Sequence, residues 1–384
     1  MEPDKKKLER IRKKYPDFRW EKEDNRDGDQ GSLLGPSYRY SGVPFRFADL
    51  FAGIGGFRCG LTSLGGECVY TSEWDKFSLE TYKNWYGADH IEEKDFRTVD
   101  YAEIPDHDIL CGGFPCQPFS LAGVSSKNFL GRSHGFEDEK QGNLFFSILD
   151  AVNAKQPPVL FFENVKNLRS HDEGRTWEVI HTSLEEAGYH VFDKIIDAAF
   201  CVPQHRERIF IVCFRKDLFG GDRESLFRFP DPPVVRKPLS SILEKNPDKE
   251  KYMLTEGTWK YLDEHKQKHI EAGHGFGYGI IEPGDREEGI TRTMTARYHK
   301  DGSEILIREK GWKNPRKLTP REAALLQGFD DKYAAIFGHE NGFPHCVSDT
   351  QAYRQFGNAV VPAVIESIAV NICSTLIEKF HVFD

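Results

Sequence analysis

A cysteine between two prolines is the residue in this chain best suited to nucleophilic chemistry. Residues 108–123 read DILCGGFPCQPFSLAG, in which an apolar run predicts a buried strand that breaks at Gly112-Gly113. Cys116 then lies on a loop that Pro115 and Pro118 stiffen. A thiolate held there is a strong nucleophile. The alternative is a structural cysteine in a turn, since free cysteine is among the most often buried residue types.

A carboxyl group at the end of a second apolar strand is the next candidate. Residues 158–162 read PVLFF and are followed by Glu163-Asn164. Burying that carboxylate costs free energy unless it has a task or a partner, and burial raises its pKa. Farther on, Arg206 and Arg208 alternate along the start of a strand and share one face, where two guanidinium groups can hold an anionic backbone.

The elements that must position these groups begin with a strand, a glycine turn and a helix. Residues 47–51 predict the strand, AGIGGF the turn, and 57–63 the helix, which together form the first half of a nucleotide-binding unit. The spacing is not GxGxxG, so a purely structural tight turn remains the alternative.

Acidic residues after the next two strands suggest a grip on a ribose and an adenine. Glu73 follows the strand predicted over 67–72, where such folds bind ribose hydroxyls, and Trp74 could stack on an adenine or fill the core. Asp95-Phe96 is predicted to end a third strand and to contact the adenine amino group, unless Asp95 caps a turn or helix.

The organisation of the chain predicts three parts. Residues 1–44 form a charged arm with a basic helix over 5–15 and a solvated linker over 21–31. Strands and helices alternate over 45–215 and again over 316–384, which predicts an α/β fold.

The intervening residues 216–315 predict a smaller, loop-rich domain. Its most β-like piece, 291–307, carries Arg292, Arg297, Tyr298, His299 and Lys300, which are types that contact bases and phosphates. A charged β-hairpin is the alternative interpretation of that piece.

Composition limits the function classes. The 384 residues have a net charge of −9 and a pI of about 5.9, which argues against non-specific coating of nucleic acid but allows a local basic face. The eight cysteines show no zinc-like spacing, and no apolar run reaches the ~20 residues that span a bilayer. We therefore expect a soluble, cytoplasmic protein without a metal site or membrane partner.

Taken in order, these stretches resemble the DNA (cytosine-5) methyltransferases of the Dcm-like bacterial type, over about residues 45–380. The matching stretches are the turn 49–57, Glu73, Asp95-Phe96, Pro115-Cys116-Gln117, Glu163-Asn164-Val165, Gln204-x-Arg206-x-Arg208, the helix over 319–328 and Gly357-Asn358-Ala359-Val360-Val361-Pro362.

The resemblance implies a Rossmann-like fold that binds S-adenosyl-L-methionine and methylates carbon 5 of a cytosine flipped out of double-stranded DNA. Cys116 would add to carbon 6, Glu163 would hold ring nitrogen 3 and the exocyclic amine, and Arg206 would contact the cytosine carbonyl and support the catalytic loop. The implied catalytic residues are Cys116, Gln117, Glu163, Asn164, Arg206 and Arg208. The implied cofactor residues are Phe51, Gly53, Ile54, Gly55, Glu73, Trp74, Asp95, Phe96, Pro115, Leu144, Asn358 and Val360.

The smaller domain would be the target-recognition domain, with CC(A/T)GG or a related CC-containing sequence as its target. The implied DNA-contacting residues are Ser120, Gln204, Arg292, Thr293, Met294, Arg297 and Tyr298. In the family an apolar residue follows the threonine, more commonly Leu or Ile than the Met294 of this chain. A monomer is expected, with a cognate restriction endonuclease as a functional partner.

Three other functions are weighed against this one. A tRNA cytosine-5 methyltransferase would share the catalytic core but carry a shorter recognition insert. A catalytically silent DNA-binding regulator would lack the nucleophile or the acid, yet Cys116, Glu163 and Arg206 are all present. A nucleotide-dependent oxidoreductase would explain only the Rossmann-like start.

Overall fold

A seven-stranded, mostly parallel sheet lies at the centre of the protein. The computed structural model describes residues 19–22, 38–41, 45–114, 144–220, 223–231, 234–273 and 277–376. The sheet strands are β3 (Arg46–Leu50), β4 (Glu67–Ser72), β5 (Ile91–Glu92), β6 (Ile109–Gly113), β7 (Val159–Val165), β8 (Tyr189–Asp197) and β9 (Glu207–Arg215). Their order is β5-β4-β3-β6-β7-β9-β8, and only β9 runs antiparallel to its neighbours.

Helices cover both faces of this sheet. The helices before residue 230 are α1 (Gly56–Thr62), α2 (Lys76–Tyr86), α3 (Leu144–Lys155), α4 (Arg175–Glu186) and α5 (Arg223–Leu226). Those after it are α6 (Lys249–Tyr252), α7 (Glu256–Glu271), α8 (Pro320–Leu326), α9 (Asp331–Ile336), α10 (Asp349–Asn358) and α11 (Pro362–Leu376).

The period-two alternation of the strands divides the apolar core into two layers. Phe47 and Phe161 point to the face covered by α1 and α11, whereas Leu50 and Phe162 point to the face covered by α3 and α4. Both faces of the central strands are therefore shielded from solvent, which explains why the sequences of β6 and β7 are continuously apolar.

The order in which successive strands join the sheet reverses at β3. From β3 the chain moves outward through β4 and β5, and it then returns to β6 on the other side of β3. In open α/β sheets the crevice for a ligand lies at such a point, beyond the carboxyl ends of the strands. The α/β, Rossmann-like fold predicted from the sequence is confirmed.

The chain between β9 and α8 is less irregular than predicted. It contains the 16-residue helix α7 and a two-stranded parallel sheet of β10 (Ile280–Ile281) and β11 (Leu306–Ile307). The prediction of β structure over 291–307 is wrong apart from its last two residues and an isolated bridge between Thr291 and Gln204, because the rest of 291–305 is irregular chain and turns.

The apolar side chains of this region are divided between two clusters. The smaller one, formed by Leu254, Leu262 and Leu306, lies entirely within the region. Met294, Tyr298 and Ile305 pack in one apolar cluster with Leu318 and Phe356. The predicted boundary between residues 315 and 316 therefore runs through a shared core, which we call the second core.

A buried chain of ions also crosses that boundary. Arg316 donates to both oxygens of Glu322, at 2.7 and 2.8 Å, and its Nε donates to Glu309 at 2.9 Å. Glu309 in turn accepts from Arg286 at 2.8 Å. Arg316 and Glu322 are fully buried, so the four side chains tie α8 to the region before it through directional contacts.

Two terminal segments complete the fold. In the arm, β1 (Arg19–Lys22) pairs antiparallel with β2 (Tyr38–Ser41), which corrects the predicted linker at Glu21 and Lys22. The basic helix predicted over 5–15 lies outside the described residues. The segment 349–376 is long and apolar enough to cross a membrane, but most of it is buried, and α11 packs on α1 as a core helix.

Candidate active site

The carboxyl ends of β6 and β7 bring the predicted acid next to the strand that leads to the cysteine loop. Gly113 and Glu163 are register partners, and a Cβ placed on Gly113 would lie 3.2 Å from Oε2 of Glu163. Asn164 Nδ2 donates to the carbonyl of Phe114 at 2.9 Å. Asn164 therefore fixes the chain two residues before Cys116. The expected residues Pro115, Cys116, Gln117 and Ser120 lie outside the described residues.

Glu163 is buried and paired with one arginine. Arg208 on β9 approaches Glu163 with its Nε 3.0 Å from Oε1. Burial raises the pKa of Glu163 above its usual range, and the Arg208 guanidinium opposes that shift. The carboxyl thus keeps a proton at higher pH than an exposed glutamate does, which suits a group that must donate to a ring nitrogen.

Arg206 does not share this position. It lies just before β9, is buried, and donates to the carbonyls of Met294 at 3.0 Å, Gly357 at 3.0 Å and Ala359 at 2.7 Å. The expectation that Arg206 contacts the cytosine carbonyl is corrected, because its side chain is buried and both of its Nη atoms already donate to backbone carbonyls. Of the two arginines, Arg208 is the one at the acid.

The glycine turn after β3 is closed by Glu73. One carboxylate oxygen of Glu73 accepts from Gly53 N at 2.8 Å, and the other accepts from the backbone N–H groups of Trp74 and Asp75, both at 2.8 Å. Burial raises the pKa of Glu73, and these N–H groups oppose the shift. A carboxylate fixed in this way has lone pairs left for ligand hydroxyl groups.

Aromatic residues line the same crevice. Phe51 adopts a positive φ of 54°, a backbone strain that is common at functional sites, and its ring meets the edge of Phe96 at 5.4 Å between centroids. The indole of Trp74 is 66% exposed beside Glu73, an unusual state for so large an apolar ring. The two sides of the crevice thus offer flat apolar surfaces.

The strand predicted to end at Asp95-Phe96 is corrected, whereas the adenine contact of Asp95 stays a prediction. The third strand ends at Glu92, and Asp95 caps a short 3-10 helix, Phe96–Thr98, by accepting from Arg97 N at 3.0 Å. Its carboxylate also pairs with the Arg97 side chain, which lowers the pKa of Asp95. An adenine contact from Asp95 would have to compete with that pair.

The remaining cofactor candidates approach the turn from two directions. Ile54 is buried in the second core, and the Val360 carbonyl would be 2.5 Å from a Cβ on Gly56, so only glycine permits this approach. Asn358, two residues earlier, is exposed. Gly55 caps α1 with φ 77°, and Leu144 begins α3 and is half-buried.

Three of the predicted DNA-contacting residues are buried. Met294 and Tyr298 pack in the second core, and the Gln204 side chain accepts from Met294 N at 2.7 Å. These three assignments are corrected, since no side chain surface is left for DNA. Arg292 and Arg297 are exposed, and Thr293 is half-buried with its hydroxyl on the His205 carbonyl.

Two residues behind the turn were missed from the sequence. Tyr86 of α2 donates its hydroxyl to the Ile54 carbonyl at 2.9 Å, and buried Asp49 has one carboxylate oxygen without a partner among the described residues. Asp49 had a signal, because it is the one charged residue within the otherwise apolar run 47–51. The position of Tyr86 depends on how α2 packs, which no local pattern reveals.

Comparison with known proteins decides the family. The sequence pattern described as C-5 cytosine-specific DNA methylase matches residues 45–374, most of the chain. The chain belongs to the C-5 cytosine-specific DNA methylases. This methylase is 44% identical to the DNA-cytosine methyltransferase of Escherichia coli K12, over 88% of its own length and 80% of that protein. It is 39% identical to the type II methyltransferase M.HhaI of Haemophilus parahaemolyticus, over 86% and 95% of the two chains.

Solved structures agree on the fold. The methylase resembles the DNMT2 protein of Spodoptera frugiperda with a TM-score of 0.66 at 19% identity, covering 86% of its own chain and 99% of the other. The Dnmt2 methyltransferase of S. pombe gives a TM-score of 0.63, also at 19% identity, over 85% and 98% of the two chains. The family pattern and the sequence relatives confirm the predicted family and enzyme class, a DNA-cytosine methyltransferase.

Proposed function

We propose that this methylase transfers a methyl group from S-adenosyl-L-methionine to carbon 5 of a cytosine flipped out of a short, specific site in duplex DNA. The observation that carries the proposal is the buried Glu163, held by Arg208 at 3.0 Å and facing Gly113 of the strand that leads to Cys116. A pyrimidine ring between the acid and the thiol would be activated from both sides.

The crevice beyond β3 and β4 suits the cofactor. Glu73 has free lone pairs for ribose hydroxyls, and the exposed Trp74 offers a face for adenine. Phe51, Phe96, Gly53 and the Asn358-to-Val360 segment would complete the site. When bound, S-adenosyl-L-methionine supplies the methyl group as an electrophile.

In the proposed reaction the chain makes carbon 5 nucleophilic. The Cys116 thiolate forms a bond to carbon 6, and the ring electrons move toward nitrogen 3, which Glu163 protonates. Arg208 keeps Glu163 in place and is the arginine that would reach the cytosine carbonyl. After carbon 5 is methylated, its proton leaves to a base, the carbon 5–carbon 6 double bond re-forms, and the thiolate departs with its electron pair. Nitrogen 3 then returns its proton to Glu163, which restores the acid.

We propose residues 216–315 as the target-recognition region, with the exposed Arg292 and Arg297 and the half-buried Thr293 as DNA contacts. A CC-containing target such as CC(A/T)GG is the expected substrate. Relatives named as type II methyltransferases support a restriction–modification setting, with a separate endonuclease as functional partner. A cytoplasmic monomer completes the proposal.

The test is to incubate the purified chain with S-adenosyl-L-methionine and a plasmid library, and to map 5-methylcytosine by bisulfite sequencing. Methylation at one short motif is expected, together with its loss, by at least about a thousandfold, in Cys116→Ser. Methylation of tRNA alone, or DNA binding without methylation, would overturn the proposal. Cys373→Ser, a buried cysteine of α11 outside the site, controls for thiol loss.

A further inference from the structure

Three segments from different parts of the chain meet at the side chain of Arg206. The guanidinium donates to Met294 in the predicted recognition region and to Gly357 and Ala359 in the segment that precedes α11. That last segment carries Asn358 and Val360, which approach the cofactor turn. One buried cation therefore contacts the backbones of the recognition region and of the cofactor site.

Gln204 makes a second connection between the same segments. Its Oε1 accepts from Met294 N at 2.7 Å, and its Nε2 donates to Gln327 Oε1 at 3.2 Å. Gln327 then donates to the Ala359 carbonyl at 2.8 Å. The carbonyl of Ala359 thus receives hydrogen bonds from both arms of this network.

Backbone contacts close the arrangement. His205 N donates to the Thr291 carbonyl at 2.9 Å, and the Thr293 hydroxyl donates to the His205 carbonyl at 2.5 Å. A Cβ on Gly357 would lie 2.3 Å from Ala296 N, so these two backbones touch with no side chain between them. We call residues 203–206, 291–296 and 357–359 the joint.

The joint is connected rigidly to the acid. The backbone of Arg206 is held by Asp197 Oδ1 at 2.9 Å and by Ala198 N at 3.1 Å, at the point where β8 ends and β9 begins. Two residues later, Arg208 contacts Glu163. A shift of the recognition segment that pulls on the Met294 carbonyl would therefore be transmitted to Arg208.

The charge of Arg206 makes the joint sensitive to such a shift. Desolvation lowers the pKa of Arg206 to about 9, and its Nε has no partner among the residues that the structure describes. Within the described part of the chain the hydrogen-bond acceptors of Arg206 are three backbone carbonyls, and Glu163 stabilises the cation only from beyond hydrogen-bonding distance. Losing one of those carbonyls would be costly.

We propose that Arg206 is a positioning residue that couples target recognition to the Arg208–Glu163 pair. This inference rests on the proposed function. DNA that fits the recognition segment leaves the Met294 carbonyl in place and Glu163 aligned, whereas a poorly fitting site displaces the segment and misaligns the acid. The enzyme would then distinguish correct from incorrect DNA sites partly by the rate of methyl transfer, and not only by its affinity for the DNA.

The experiment compares Arg206→Lys with the wild-type enzyme on two duplexes, one with the site found by bisulfite mapping and one with a single base pair changed. Lysine keeps the charge but cannot reach three carbonyls. We expect kcat at the correct site to fall, whereas a rise in KM for S-adenosyl-L-methionine, caused by the lost bonds to Gly357 and Ala359, should be the same with both duplexes. The ratio of kcat/KM between the two duplexes should fall on the order of tenfold, within the usual range of coupling between sites.

Arg175→Lys, an exposed residue paired with Asp172, is the matched control and should leave this ratio unchanged. A merely structural role for Arg206 would lower activity on both duplexes equally, and that result would overturn the proposal. Wild-type protein that methylates no DNA would instead reject the proposed function before any variant is compared.

The Thr293→Val variant tests the coupling if the Arg206→Lys variant does not fold. It removes the hydrogen bond to the His205 carbonyl and leaves the guanidinium in place, and the affinity for both duplexes, measured alongside, separates this loss from the loss of a DNA contact at Thr293. A smaller loss of the same ratio, of a few fold, is expected. An unchanged ratio in a folded Thr293→Val enzyme would contradict the coupling.

Discussion

The two regions that flank the proposed cytosine site are held together by different forces. The carboxyl edge of the sheet is supported by apolar layers on both faces, from Phe161 on one side and Phe162 on the other. The recognition region adds directional polar contacts to its apolar packing in the second core, namely the ion chain through Arg316 and the carbonyls bound to Arg206. Apolar packing holds the proposed catalytic side chains on a rigid sheet. The polar contacts of the recognition region are directional, so they can break one at a time.

Removing the acid at the sheet edge should have the largest effect. Glu163→Gln keeps the shape of the side chain but cannot donate a proton to ring nitrogen 3 in the same way. We expect methyl transfer to fall by about 10²- to 10⁴-fold, the usual contribution of general acid–base catalysis. Single-turnover assays with labelled S-adenosyl-L-methionine measure the chemical step directly.

Binding of DNA and cofactor serves as the control for Glu163→Gln. Because Gln retains an oxygen for Arg208, the variant should fold and bind DNA as the wild type does. Near-normal methyl transfer by this variant would show that the acid lies elsewhere and that Glu163 serves only to pair with Arg208.

The second comparison concerns how the recognition region is stabilised. Glu322→Gln leaves the fully buried Arg316 with Glu309 as its only carboxylate partner among the described residues, and breaking such a pair costs about 3–5 kcal/mol. Urea unfolding should show this loss, and hydrogen exchange should rise first in β10, β11 and their neighbours. Faster exchange in β3, β6 and β7 to the same extent would mean that the two regions unfold as one unit.

Lys313→Gln is the matched control for that experiment. Lys313 pairs with Glu256 at 2.8 Å, but both side chains are exposed to solvent, where ion pairs contribute little. Its unfolding midpoint should equal that of the wild type.

The same contrast explains what could be predicted from the sequence. Strands have a fixed period, so Glu73 and Glu163, each at the end of an apolar run, could be assigned to one edge of a parallel sheet from residue pattern alone. The helix predicted over 319–328 was likewise readable, and the structure shows α8 there, with Thr319 in a capping box at its start. Local sequence patterns are sufficient to predict those features that the local backbone geometry determines.

The segment 291–298 shows where that reasoning fails. It has no regular period, so nothing in the sequence distinguishes exposed Arg292 and Arg297 from buried Met294 and Tyr298. The same holds for Arg206, whose partners are carbonyls 88 to 153 residues away in the chain. Contacts of that kind depend on tertiary packing, and residue type alone does not reveal them.

A third prediction concerns Asp49, the carboxylate buried within the otherwise apolar strand β3. Burial raises the pKa of Asp49 from 3.8 to about 7, so between these values the folded protein binds a proton that the unfolded chain has lost. Stability contributed by this group therefore falls as the pH rises from about 4 to about 7. Asp49→Asn removes the dependence, and its stability relative to the wild type should increase by about 2 kcal/mol between pH 5 and pH 7. Urea unfolding at both pH values measures the difference, and parallel profiles would contradict the assigned burial.

The smallest expected effect concerns the support behind the cofactor turn. The Tyr86 hydroxyl bonds the Ile54 carbonyl at 2.9 Å and contacts Cys59 Sγ at 3.2 Å, while its ring packs on Phe337. Tyr86→Phe removes the hydroxyl and keeps the ring packing. The loss should be about 1 kcal/mol, the net value of one hydrogen bond.

That loss can appear either in the affinity for the cofactor or in the melting temperature. If the hydroxyl orients the turn, calorimetric titration should show S-adenosyl-L-methionine binding weakened by about fivefold, with a nearly unchanged melting temperature. Tyr261→Phe on α7, an exposed tyrosine, should change neither quantity. A lower melting temperature with unchanged cofactor affinity would assign Tyr86 to the second core alone. The cofactor turn would then be held by Glu73 and by apolar packing, without a contribution from the Tyr86 hydroxyl.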